Sequence, residues 1–114
     1  IHDFELALVG GTSEDVAEAL ETGEFGMSDE TGRLMNAAIA DDPAAGMGAA
    51  VGRAIHAGGF PHADVSVLAA AHRLGVPATV HVAIGTDIIH QHPSAVGAQR
   101  RGRTFPRRVL VAKL

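Results

Sequence analysis

Asp87, His90 and His92 are the residues whose types and spacing point most directly to chemistry. They follow Gly85-Thr86, so a glycine that frees the backbone is succeeded by a hydroxyl, a carboxylate and, three residues on, an imidazole. A carboxylate so placed accepts hydrogen bonds from ribose hydroxyls or pairs with a cationic amine. The plainer expectation is a turn in which Asp87 caps a short helix over residues 88–92, and the two roles are compatible. Read as metal ligands, Asp87, His90 and His92 would serve a metal-dependent hydrolase, because two imidazoles two apart on a strand face the same way. Pro93 argues against a strand there, and on a helix residues two apart diverge by about 200°. No His-Glu-x-x-His pattern supports an ion, so no metal is expected.

The element that must position these residues is the apolar, β-branched run just before them. Val76-Pro77-Ala78-Thr79-Val80-His81-Val82-Ala83 predicts a strand over residues 78–83, buried on both faces. In an open parallel sheet, ligands bind just past the carboxyl ends of the strands, which is where Gly85, Thr86 and Asp87 would stand. Upstream the period is helical. Ile1, Phe4 and Leu8 make one stripe, stopped by Gly10-Gly11; Val16, Ala19 and Leu20 make another after a cap at Thr12 or Ser13. Glu24-Phe25-Gly26-Met27 reads as a connection, and Ser28 as the cap of a helix over 29–40 with Leu34, Met35, Ala38 and Ile39 on one face. Asp41-Asp42-Pro43 ends that helix. A helix over 44–57 follows; its Gly46, Gly48 and Gly52 cost about 1 kcal/mol each relative to Ala and suit a face against which another backbone packs. The last helix, 64–74, closes on Gly75. Helix, glycine and strand make half a βαβ unit, so the expected fold class is α/β and helix-rich, a fragment of a Rossmann-like parallel-sheet domain.

The composition narrows the function classes. The chain has 114 residues, enough for one small domain, with four Phe and neither Tyr nor Trp, so its core must be aliphatic. The absence of cysteine excludes a disulfide scaffold and thiolate metal sites, and fits a reducing cytoplasm. No apolar run approaches the roughly 20 residues that span a bilayer. The chain opens on Ile1-His2-Asp3, without a methionine and with an acid where a secretory leader has bases, and is expected to be a piece of a longer protein. Residues 1–64 hold 12 of the 13 acids, whereas 65–114 hold seven of the nine bases, five of them in 100–108. Only Phe105 interleaves with those five, so a solvated tail is expected rather than a nucleic-acid surface.

Other polar clusters carry less. On a helix, His2 and Glu5 share a face, with Asp3 turned away. Gly10-Gly11-Thr12-Ser13 lacks the lysine of a phosphate loop. His56, His62 and His72 stand singly near helix ends, with no function expected of them. Nucleophilic catalysis has no Cys and no Gly-x-Ser-x-Gly to draw on, and the only lysine is Lys113.

Ile1-His2-Asp3-Phe4-Glu5-Leu6-Ala7, Gly23-Glu24-Phe25-Gly26-Met27 and Val80-His81-Val82-Ala83-Ile84-Gly85-Thr86-Asp87-Ile88-Ile89-His90 together resemble the bacterial deoxyhypusine synthase-like family over about residues 1–98. The resemblance implies a Rossmann-like fold, NAD as cofactor and homotetramers with sites at subunit interfaces. It also implies transfer of the aminobutyl group of spermidine, a polyamine, to a protein lysine, or to another amine in homospermidine synthase-like relatives. Gly85, Thr86 and Asp87 would then contact NAD. His2, Asp3, Glu5, His90 and His92 would lie on the amine side, although His2 stands where the synthases proper have a Glu. The family's glycine-rich nucleotide turn would precede Ile1, and its catalytic lysine would follow residue 114. Residues 99–114 depart from the family as an atypical basic tail, which a truncated or frameshifted reading frame after residue 98 would explain. The alternatives on the residues alone are the hydrolase above and a non-catalytic interaction module docking through the glycine-rich helix 44–57.

Overall fold

A computed structural model of the chain describes residues 1–12, 21, 29–81 and 87–95. The expected stripe of Val16, Ala19 and Leu20, the Ser28 cap, the connection at 24–27, Gly85, Thr86 and the basic tail lie outside the described residues. Among those described, the elements are α1 (His2–Val9), α2 (Asp29–Asp41), α3 (Met47–Ala57), a 3-10 turn at Ala63–Val65, α4 (Val67–Leu74) and a second 3-10 turn at Ile88–His90.

Each helix has a local cause. α1 ends where Gly10 turns left-handed and donates to the Leu6 carbonyl at 2.9 Å. α2 carries Asp29 and Glu30 in its first turn, where the helix dipole favours acids, and buries Met35, Ala38 and Ile39 as its stripe predicts. α3 starts at Met47, later than the pattern at 44 suggests. Asp42 accepts from the Ala45 amide at 3.2 Å and closes a turn, and Gly46, at φ 83°, is the residue that can link that turn to the helix. α4 starts at Val67 because Ser66 caps it, accepting from the Ala69 amide at 3.0 Å. It ends at Gly75 (φ 66°), whose amide bonds the His72 carbonyl while that of Val76 bonds the Ala71 carbonyl. That pair of bonds is the Schellman closure.

The four described helices share one core, in which Phe4, Met35, Ile39, Val51, Ile55 and Ile89 are almost completely enclosed. The rings of Phe4 and Phe60 meet in a T-shaped pair, with centroids 5.4 Å apart at 70°. The glycines of α3 explain how α4 and the following segment come so close. A Cβ on Gly52 would collide with the Leu68 carbonyl, and one on Gly48 with the Ala78 carbonyl. Gly52→Ala is therefore expected to lower stability by about 1–2 kcal/mol in urea unfolding, overpacking outweighing the gain in helix propensity. The same contacts occupy the glycine face of α3 with the chain's own backbone, which removes the surface that a docking module would use.

The α/β expectation is overturned. Among the described residues the structure is helical with no strand and no sheet, so this is not a Rossmann-like parallel-sheet fold. Residues 78–81, the described part of the expected strand, are irregular and half-buried to exposed rather than buried on both faces. The physical reason lies in where the backbone goes. A β-branched run becomes a strand only when a neighbour completes its ladder; here the Val76 amide closes α4 and the Ala78 carbonyl lies against Gly48. Among the described residues no helix is long and apolar enough to cross a membrane.

Candidate functional site

The turn that carries Asp87, His90 and His92 is held on α2 by side chains. Ile89 is its apolar anchor, 1% exposed and packed into the core. Asn36, equally buried on α2, donates from Nδ2 to the Ile89 carbonyl and to Ser94 Oγ, both at 3.0 Å. His92 lies close enough to α2 that a Cβ at Gly32 would meet its ring at 2.8 Å. Its Nε2 is 2.8 Å from Asp29 Oδ1 and its Nδ1 is 2.7 Å from Ser94 Oγ. One proton arrangement satisfies the set: Asn36 donates to Ser94, Ser94 donates to His92 Nδ1, and His92 Nε2–H donates to Asp29.

This relay commits His92. The hydrogen bond from His92, with a smaller contribution from Arg33, holds the Asp29 carboxyl below its ordinary value of 3.8. A depressed folded pKa gives stability that is present above that ordinary value and lost as pH falls through the folded one. Asp42 is lowered as well, chiefly by the hydrogen bond from Arg53 at 2.8 Å. Asp29→Asn should thus flatten, though not abolish, the loss of stability in acid below about pH 4, as read from thermal melts across that range.

Asp87 and His90 are placed differently. Asp87 precedes the 3-10 turn, and its backbone carbonyl accepts the His90 amide at 3.0 Å. Its carboxylate makes no cap, contrary to the turn expectation, and the expected helix over 88–92 is a single turn, Ile88–His90. Asp87 Oδ1 and His90 Nδ1 are both buried without a hydrogen-bond partner. Asp87 enters the turn with extended backbone (φ −85°, ψ 132°) and His90 is its last residue, while Ile89 between them enters the core. Leaving such a group unpaired costs about 1–3 kcal/mol. Two within four residues, when most buried polar groups are satisfied, call for a reason.

The other expected site residues lie on α1. His2 is exposed and Glu5 half-buried. Asp3 is bound up elsewhere: it accepts from Val67 N at 2.6 Å, Leu68 N at 3.2 Å and Ser66 Oγ at 2.7 Å, covering the N-terminus of α4. Among the described residues no three of His, Asp or Glu converge on a point that could hold a metal ion, and His92 has turned both ring nitrogens to other partners. The Asp87, His90 and His92 triad of a metal hydrolase is not formed.

Sequence reasoning missed Asn36, Gly32, Ser94 and Asp29, the residues that fix the turn. A signal for two of them was present: Gly32 and Asn36 stand four apart, hence on one face of α2, and both are poor helix formers. No family model matches the chain, nor does any curated protein or solved structure.

Proposed function

We propose that this chain is part of an NAD-dependent transferase of the deoxyhypusine synthase-like kind, moving the aminobutyl group of a spermidine-like polyamine to a lysine or another amine. The reading rests on the motif resemblance. The observation that carries it to a site is the pair of buried, unpartnered atoms, Asp87 Oδ1 and His90 Nδ1, at the start and the end of one turn. A buried carboxylate oxygen without a donor suits a ribose hydroxyl, so Asp87 fits the cofactor role that the resemblance assigns. NAD, when bound, would take up a hydride and return it. The chain's own part is to bind and orient: Asp87 accepts the hydroxyl hydrogen bond, and His90 Nδ1 meets an amine N–H or a second hydroxyl. Asp3 and His92 are left out of this proposal because their polar atoms hold the fold. Glu5 supplies negative charge on the amine side.

Calorimetric titration of NAD, followed by spermidine, into the longer protein that the resemblance implies tests the reading. Asp87→Ala should weaken NAD binding about thirtyfold or more, the worth of a charge-assisted hydrogen bond. His90→Ala should act mainly on the polyamine. NAD binding indifferent to Asp87, or no binding at all, would remove the proposal.

A further inference from the structure

The close approach of α3 and α4 has a second consequence, remote from the turn at residue 87. Gly52 lets the backbone of α4 settle against α3 at Leu68. One turn beyond each of those residues stand His56, in the last turn of α3, and His72, in the last turn of α4. Their ring centroids are 5.5 Å apart, with the planes inclined at 51°. Both side chains are exposed, so water and ions reach them freely.

We infer that His56 and His72 together bind a divalent transition-metal ion. Imidazole is the ligand that zinc, nickel and copper share, and an N–metal distance of about 2.0–2.1 Å puts two rings on one ion with centroids about 5 Å apart. The observed centroid spacing is close to that value. An inclined arrangement suits this better than a parallel stack, because each ring must aim one nitrogen at the common point. Among the described residues no third His, Asp or Glu joins the pair, so the remaining positions belong to water or to a small ligand. His72 also lines a cleft of about 240 Å³ bordered by Ala49, Leu68, Ala71 and Pro77, which gives such a ligand room. The helices supply the rigidity: the ligands sit on two elements locked by a backbone-to-glycine contact, not on a loop.

The test is a titration with Zn²⁺ alone and, separately, Ni²⁺ alone, following heat and the thermal midpoint. One ion per chain should bind and raise the midpoint, since an ion held by the folded state stabilises it. His56→Ala and His72→Ala should each weaken binding about tenfold or more, as loss of one of two ligands requires, while His62→Ala leaves it unchanged. Should either variant unfold, the unmodified protein still decides. Substoichiometric Ni²⁺ should broaden the NMR signals of His56 and His72 before those of any other histidine. Equal affinity in the single variants, or broadening first at another histidine, would overturn the inference.

Discussion

Replacing Asp3 by alanine is expected to lower folding stability by about 2–3 kcal/mol, the largest loss foreseen for a half-buried side chain of this protein. The first amides of a helix have no partner within it, and α4 meets that need from across the fold. Asp3 takes two of them, Val67 N and Leu68 N, along with the hydroxyl of Ser66, which itself serves Ala69 N. The carboxylate also sets a negative charge where the helix dipole is positive. Because 63 to 65 residues separate these groups in sequence, the clasp ties α1 to α4. Asp3→Asn keeps one acceptor and should recover about half of the loss. Ser66→Ala should cost about 1 kcal/mol. Urea unfolding of the three variants checks the order; equal stability for Asp3→Ala and the unmodified chain would mean that the clasp does not hold α4.

Asp87→Ala should do the reverse. It removes a carboxylate oxygen that is buried without a partner, and relief of that burden is expected to stabilise the unliganded protein by about 1 kcal/mol. Binding should fall in the same variant. A residue that weakens the fold and strengthens a complex is the pattern of a functional position, and no ordinary turn residue shows it. His90→Ala should shift stability in the same direction by a smaller amount, because the ring also fills space in the turn.

The helices were legible because each depends on its own neighbours. Phe4, Met35 and Ile39 read as stripes, Gly10 and Gly75 read as stops, and all five do in the structure what their spacing predicts. The glycines of α3 asked for a close backbone and found two, at Leu68 and Ala78. The strand was misread because a strand is not local. Val76 to His81 has the composition of one, yet among the described residues no second strand pairs with it. At the site, composition pointed to Asp87 and His90 but could not tell them from His92. What separates them is Asp29, 63 residues away, which takes the His92 ring, whereas His90 Nδ1 is left without a partner. A pairing over that distance leaves no periodic trace in a single sequence.

The measurement that tests the account most directly is a set of four thermal melts: unmodified protein and Asp87→Ala, each with and without NAD. Without NAD the variant is expected to melt higher, and NAD is expected to raise the midpoint of the unmodified protein while leaving the variant where it was. If the variant melts lower without NAD and both proteins respond alike to it, Asp87 is a structural residue and the turn at Ile88–His90 is not the binding site.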